Sequence, residues 1–178
     1  GVDGVMVEEL LDYLKTNKAE LLESIRTRKY KPQPVRRVEI PKDNGKKRQL
    51  GIPTVVDRVI QQAISQVLSP IYEKQFSNSS YGFRPNRSCE MAIIRSLELL
   101  NDGYDWVVDI DLERFFDTVH HDRLMNIIHR TIEDGDVLSL IRKFLGSGVM
   151  VGKTYEETTV GTPQGGNLSP LLSNIMLN

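Results

Sequence analysis

The sequence predicts an α+β fold of helices and short antiparallel sheets, and three observations support this. Most apolar residues recur at helical spacing, in segments separated by turns. Two stretches have the composition of hairpins, and one apolar, β-branched run is typical of a buried strand. The resulting order is helix, hairpin, two helices, strand, two helices, hairpin and helix. This order favours elements layered on a core, which 178 residues suffice to build.

Local signals set the elements of the first half. Predicted helices cover residues 7–30, 55–68 and 88–100. Asn17 is the predicted cap between two helices within the first range, Pro70 is expected to end or kink the second, and Ser88 to cap the third. Between them, VRRVEIP and RQLGIP are predicted strands, joined by a turn where Asn44-Gly45 supplies the positive φ of a tight hairpin.

The second half is predicted to alternate strands and helices. YDWVVDI, residues 104–110, is the predicted buried strand, with Trp106 as a core aromatic. Helices are predicted at 121–132 and 137–145, a second hairpin at 149–160, and a final helix opened by Ser169-Pro170. Cys89 is expected to be a small buried helix residue.

Composition excludes several classes of protein. The single cysteine rules out an internal disulfide and a cysteine-rich zinc site. No apolar run approaches the ~20 residues of a membrane span, and no signal peptide opens the chain. We therefore expect a cytoplasmic bacterial protein without a membrane partner.

Charge is distributed unevenly along a chain whose net charge is only −1. Residues 26–48 hold ten lysines and arginines against two acidic residues, and residues 98–122 hold eight acidic residues against one arginine. A basic arm before an acidic centre indicates a polyanionic partner for the arm. The alternative is two solvated faces that partly neutralise each other.

The acidic centre contains VVDIDLERFFD. In a strand, alternation places Asp109 and Asp111 on one face, where two carboxylates need cations nearby. Carboxylates at the end of a strand are hard-oxygen ligands that suit Mg²⁺. The alternative is that one or both cap the following turn.

Three further stretches have the composition of ligand contacts. GTPQGGNLSP is a glycine-rich loop that projects Gln164 and opens a helix. The hairpin carries Lys42 and Arg48 close to its turn, which suits phosphate binding, although lysines also protect an edge strand from pairing. In YGFRPNR, Arg84 and Arg87 follow a rigid turn and can face phosphates, brace the fold, or pair with the acidic centre.

Together these stretches resemble the reverse transcriptases encoded by group II introns. YGFRP, DLxxFFD followed by HxxL, and TPQGGxLSPLLxN occur in that family's order across essentially the whole chain. The resemblance implies a right-hand polymerase, with fingers over residues 1–100 and a partial palm over 101–178. It also implies RNA-directed synthesis of DNA from deoxynucleotides, with an RNA template, intron RNA and a DNA primer as partners.

The resemblance assigns roles to individual residues. Asp111 would ligate both catalytic Mg²⁺ ions, which clamp the attacking and leaving oxygens about 4 Å apart. Asp109 would be a supporting residue. Phe115 would exclude a 2′-hydroxyl, with Phe116 as the second candidate. Three residues would contact the incoming nucleotide: Lys42 and Arg48 at its triphosphate and Gln164 at its sugar. The residues expected to contact nucleic acid are Lys31, Arg36, Arg37, Arg84 and Arg87.

One departure from the family pattern limits these expectations. The family carries a Tyr-x-Asp-Asp hairpin a few dozen residues after the PQGG helix, and this sequence ends before it. The chain alone is therefore expected not to polymerise, and its cut surface to favour self-association, including a homodimer. Alternatives are an RNA-binding splicing cofactor (a maturase) without catalysis, and a CRISPR-associated or intron-less relative. HHD at 120–122 is expected to be a helix start and not a zinc site, because adjacent helical side chains diverge.

Overall fold

The computed structural model describes residues 1–41, 45, 47–162 and 165–178. A 3₁₀ turn at Val7–Glu9 leads into the first helix. The helices are α1 (Leu10–Arg26), α2 (Val55–Glu73), α3 (Cys89–Asn101), α4 (Phe115–Thr118), α5 (His121–His129), α6 (Gly135–Leu145) and α7 (Ser169–Leu177). The strands are β1 (Val35–Pro41), β2 (Lys47–Ile52), β3 (Val149–Val151) and β4 (Thr154–Glu156).

Both predicted hairpins form, and they join into one four-stranded sheet in the order β2-β1-β3-β4. β1 and β2 are antiparallel, from Arg36 opposite Ile52 to Pro41 opposite Lys47, and Gly45 in their turn has a φ of +75°. The sheet is mixed, because β1 runs parallel to β3 with Val35 opposite Val149. This pairing fixes the first hairpin to the second half of the chain.

One hydrophobic core lies between α2, α5, α6 and α7. It includes Leu68 and Tyr72 from α2, Leu124 from α5, Ile141 from α6 and Leu172 from α7, all at most 3% exposed. Side chains hold the ends of these helices: Thr54 Oγ1 accepts from the Asp57 backbone N–H, and Asp134 caps α6. The predicted division at residue 100 remains a prediction, and the core contains residues from both sides of it.

Two predicted helix boundaries were wrong. α1 is continuous through Asn17, whose amide Nδ2 donates to the Tyr13 carbonyl 2.9 Å away and does not cap a new helix. α2 continues through Pro70 to Glu73, so Pro70 does not end the helix, although it has no N–H to donate to the Gln66 carbonyl. The predicted cap of α3 is confirmed, since the Ser88 side chain accepts from Met91 N.

The predicted buried strand over 104–110 is absent from the structure. These residues form no strand, and Trp106 and Val108 are 95% and 82% exposed, so Trp106 is not a core residue. A strand needs a partner for its backbone groups, and no described segment pairs with this one. α3 likewise has no buried residue, so Cys89 is exposed rather than buried.

None of the helices in the described part of the chain is both long and apolar enough to cross a membrane.

Candidate functional site

A cleft of about 390 Å³ opens between the first hairpin and the segments that follow the acidic centre. One wall is the hairpin, with Arg37, Gln49 and Gly51, and the other is formed by Arg114, Phe116 and Asp117 and by Val160–Thr162. These three segments are far apart in sequence. The cleft thus joins three of the stretches that carry the sequence motifs.

Backbone hydrogen bonds fix the second wall. Gly161 N donates to Val119 O at 2.8 Å, and Thr162 N donates to Phe116 O at 2.7 Å. Gly161 has a φ of +87°, and a Cβ there would lie 3.0 Å from the Phe116 and Asp117 carbonyl oxygens. Only glycine combines this conformation with so close an approach of two backbones.

His121 anchors the same wall, a role that the sequence did not reveal. Its side chain is 5% exposed, and its Nε2–H donates to Gly161 O at 2.6 Å. HHD is a helix start, as expected, with His120 at the N-cap position of α5. Among the described residues, no group of three histidine, cysteine or acidic side chains is placed to hold a metal.

The glycine-rich loop also contacts the hairpin. Gly165 has a φ of +115°, and a Cβ there would lie 2.7 Å from Gly51 O and 2.9 Å from Leu50 Cδ1. Gln164, predicted to contact the nucleotide, lies outside the described residues. Its neighbour Gly165 packs on the base of the hairpin, so the loop and the hairpin meet beside the cleft.

The two phenylalanines of the FFD motif face different surroundings. Phe115 packs against the hydrophobic core, while Phe116 lines the cleft. Their rings meet edge to face, with centroids 5.7 Å apart. Because Phe116 is the ring that lines the cleft, the structure gives a reason to prefer the second candidate, and the assignment of the sugar gate to either ring stays a prediction.

The backbone turns sharply just before these rings. Arg114 has a φ of +51°, unusual for a residue with a side chain, and its Nε donates to Asp117 Oδ2 at 3.2 Å. The turn ends the exposed segment 104–113 and starts α4. It thereby directs Phe116 and Asp117 into the cleft wall.

The predicted metal ligand lies on the exposed segment. Asp109 and Asp111 are both exposed, neither lies in a strand, and neither lines the cleft. Alternation on a strand therefore does not apply to them in this structure. Their carboxylate oxygens are the donor type that Mg²⁺ prefers, and one or two such ligands suffice when substrate phosphates supply the rest.

The basic residues of the hairpin differ in how far their side chains are exposed to solvent. Arg48 is exposed and pairs in register with Ile40. Alternation places it on the same side of β2 as Leu50, the side chain that approaches Gly165. Lys42 lies outside the described residues. Arg37 is half-buried, and its Nη1 lies 3.0 Å from Glu156 Oε2.

Arg36 and Lys31 remain available for a partner. Both side chains are exposed, and neither has an ion-pair partner within the described residues. Arg36 sits on β1, and Lys31 lies in the segment that leads into it. The basic arm predicted from the sequence is therefore partly open to solvent.

Arg84 braces the protein and does not face a ligand. It is 7% exposed and forms hydrogen bonds with both carboxylate oxygens of Glu73 and with the carbonyls of Ser77 and Ser80, at 2.6–3.1 Å. Its guanidinium also lies over the Phe76 ring. This corrects the expectation of nucleic-acid contact, because these partners use its donors. The partner is Glu73 and not the acidic centre.

Arg87 is only partly occupied. It is half-buried, its Nη1 donates to Asn78 O at 3.1 Å, and its guanidinium lies 5.5 Å from the centre of the Tyr81 ring. The remaining donors are oriented by these two contacts. The predicted nucleic-acid contact of Arg87 stays a prediction.

A buried carboxylate network holds the segment before β1. Asp57 is 1% exposed and accepts from Tyr30 Oη and Thr54 Oγ1, both at 2.6 Å, and from Gln33 N at 3.1 Å. Burial raises the pKa of the Asp57 carboxyl despite these hydrogen bonds, and burial beside Asp57 raises the pKa of Tyr30. The network ties residues 30–33 to the start of α2, and thereby positions the hairpin.

The sequence and the fold of the chain both match known proteins. The family model described as reverse transcriptase (RNA-dependent DNA polymerase) matches residues 40–178. The chain is 43% identical to protein YkfC of Escherichia coli strain K12, over all of this chain and 48% of YkfC. It is 44% identical to the group II intron-encoded protein LtrA of Lactococcus lactis subsp. cremoris, over 89% of this chain and 26% of LtrA.

A solved structure shares the fold. A chain of a partial Cas6-RT-Cas1–Cas2 complex superposes with a TM-score of 0.62 at 27% identity, over 97% of this chain and 29% of that chain. The present chain thus spans about half or less of these relatives. The fold of polymerase fingers and palm is confirmed, and so is the resemblance to group II intron-encoded proteins. The chain belongs to the reverse transcriptase family.

Proposed function

We propose that this chain forms part of the active site of an RNA-directed DNA polymerase of the group II intron type. The observation that carries the proposal is the cleft. It brings the basic hairpin, Phe116 and the start of the GTPQGG loop together, and the family to which the chain belongs is named for this reaction. The substrates would be deoxynucleotides, an RNA template and a DNA primer.

Each wall of the cleft has a role in this proposal. The hairpin, through Arg48 and Lys42, would bind the triphosphate, since guanidinium and ammonium groups suit phosphate oxygens. Phe116 would lie against the sugar and exclude a 2′-hydroxyl by shape. Gln164 would contact the sugar edge. The close backbone contacts of Gly161 and Gly165 would hold the residues on either side of this stretch in place.

Asp111, with Asp109 beside it, would hold Mg²⁺ together with substrate phosphates. When bound, Mg²⁺ supplies Lewis-acid activation of the primer hydroxyl and neutralises charge on the phosphates. Because no group of three histidine, cysteine or acidic side chains is placed together in the described part of the chain, the remaining ligands would come from substrate or from residues outside that part.

Primer extension on an RNA template tests this proposal. The full-length protein is compared with its Asp111→Asn and Asp109→Asn variants in Mg²⁺. We expect extension to be lost in Asp111→Asn and largely retained in Asp109→Asn. Loss of extension in Asp109→Asn alone would identify Asp109, and not Asp111, as the metal ligand. Absence of extension by the unchanged protein would refute the proposed polymerase activity.

RNA binding for intron splicing is the second candidate function. It is favoured by the exposed side chains of Lys31 and Arg36 and by similarity to relatives named as intron proteins and maturases. Such contacts with phosphates are independent of sequence and depend on salt.

RNA affinity measured against salt concentration tests the second function. Neutralising Lys31 and Arg36 should lower the affinity and reduce the salt slope by about 1 for each phosphate that is no longer neutralised. Arg123→Gln, which removes an exposed charge on α5, serves as the control. An unchanged slope would exclude these two residues from the RNA interface, and Asp111→Asn should leave RNA affinity nearly unchanged.

A further inference from the structure

Two buried side chains lie at the junction of α2 and the glycine-rich loop, and each has one polar atom without a hydrogen-bond partner. Gln61, on α2, is 6% exposed, and Thr162, in the loop, is 4% exposed. Within the described part of the chain, Gln61 Oε1 and Thr162 Oγ1 have no hydrogen-bond partner. Buried polar atoms nearly always have a hydrogen-bond partner. Two unpaired atoms at the same junction therefore indicate a common partner.

Both residues line one small cavity, of about 10 Å³. The rest of its wall is mixed: Phe144, Leu145 and Leu172 are apolar, while Gly166 and Ser169 contribute polar groups. A buried water molecule needs about 10–15 Å³ and two to four polar partners. The volume and the two orphan atoms together meet both conditions.

We propose that this cavity binds a single water molecule that bridges Gln61 and Thr162 and thereby positions the glycine-rich loop. Gln61 Oε1 can only accept, so the water donates to it, while the Thr162 hydroxyl takes either role.

The bridge connects the nucleotide cleft to the core. Thr162 also lines the cleft, and it stands two residues before Gln164. Backbone hydrogen bonds to the Phe116 and Val119 carbonyls hold the start of the loop to the acidic centre. The water adds a link from the loop to α2. Gln61 and Thr162 are therefore positioning residues. This role rests on the proposed polymerase, whereas the water site itself does not.

Opposite changes in melting temperature distinguish a bridging water from a dry cavity. The full-length protein is compared with Thr162→Val and Gln61→Met, which keep the volume and remove the polar atom. If water bridges the two side chains, each variant melts lower, and the decrease in the double variant is smaller than the sum of the two. If the cavity is dry, removal of an orphan polar atom leaves the melting temperature equal or higher, which overturns the proposal. Thr162→Ser keeps the hydroxyl and serves as the control.

Kinetics test the positioning role separately. We expect Thr162→Val to raise the KM for deoxynucleotides about fivefold, corresponding to one hydrogen bond, with a smaller change in Thr162→Ser. A lower melting temperature with an unchanged KM would leave the water in place and overturn the positioning role. Lower melting temperatures of both variants, in a protein that does not extend primers, would refute the polymerase and retain the water site. A water peak between Gln61 and Thr162 in a high-resolution crystal structure is the direct confirmation.

Discussion

Neighbouring residues of this chain have different surroundings because tertiary packing separates their side chains. Phe115 and Phe116 are adjacent and identical in type, yet one packs on the core and the other lines the cleft. Helical geometry turns successive side chains by roughly 100°. The sequence places both rings in one motif, and only the structure shows which of them lines the cleft.

Replacement of each phenylalanine should give a different defect. We expect Phe116→Ala to raise incorporation of ribonucleotides relative to deoxynucleotides at least tenfold, because the ring no longer fills the cleft beside the sugar. Phe115→Ala should instead lower the free energy of unfolding by about 3 kcal/mol, because core packing is removed. Misincorporation assays and denaturant unfolding measure the two effects. Relaxed sugar selection in Phe115→Ala but not in Phe116→Ala would reverse the assignment.

The Arg84–Glu73 pair makes a second prediction at the residue scale. Because the Arg84 side chain is only 3% exposed, Arg84→Met should destabilise the protein by about 3 kcal/mol at neutral pH. Arg87→Met, in the same loop, removes one hydrogen bond to the Asn78 carbonyl and serves as the control. We expect it to destabilise the protein by about 1 kcal/mol. Urea unfolding measures both, and equal destabilisation would contradict a special role for Arg84.

The same pair predicts a pH dependence. Hydrogen bonds from Arg84 hold the pKa of the Glu73 carboxyl below its ordinary 4.5. Because the pKa of Glu73 is lower in the folded than in the unfolded protein, the pair contributes its full stabilisation of the fold above pH 4.5. This contribution is lost as the pH falls through the folded-state pKa. Stability in Arg84→Met should accordingly fall less steeply below pH 4.5 than in the unchanged protein.

At the scale of elements, local chemistry predicted most of what formed. The hairpin turn at Gly45, the Ser88 cap and the helices around the core all have local signals, and all are present. One failure was non-local and the other was local. The 104–110 segment has the composition of a strand but no described partner, and α1 continues because Asn17 bonds back to Tyr13 within the helix.

The contact between the glycine-rich loop and the hairpin gives a prediction for two elements. Gly165→Ala should raise the KM for deoxynucleotides at least tenfold, because the new methyl group would meet Gly51 O at 2.7 Å and push the loop from the hairpin. Gly103→Ala is the matched control: its φ is also positive, at +95°, but nothing lies within 4 Å. Both substitutions carry the same backbone strain of about 1 kcal/mol, so the two variants differ only in the contact between residue 165 and the hairpin. Equal KM values in the two variants would show that this contact has no effect on nucleotide binding.

For the whole molecule, the exposed apolar side chains of α3 and of the segment that follows it need an explanation. α3 and the 104–112 segment expose the side chains of Ile93, Ile94, Leu97, Tyr104, Trp106, Val107, Val108 and Ile110, each more than half accessible. Exposed apolar side chains in such number are typical of a surface that another molecule covers.

We expect the 178-residue chain alone to self-associate through this surface. Sedimentation should show concentration-dependent association at micromolar levels, and Trp106→Asp with Val108→Asp should shift the equilibrium toward monomer. Val67→Asp, an exposed apolar position on α2, is the control that should leave association unchanged. A chain that stays monomeric at high concentration would contradict this prediction.

The sequence by itself determined the family, the order of the motifs, both hairpins and most helices. These features depend on residues that are close together in the chain, because turn residues, helix caps and hydrophobic periodicity are local signals. The tertiary structure decided which phenylalanine faces the cleft, that Arg84 is paired with Glu73, and that His121 anchors Gly161. It also placed Gln61 beside Thr162. Such contacts join residues up to about a hundred positions apart, and their free energy depends on burial and geometry that no local pattern encodes.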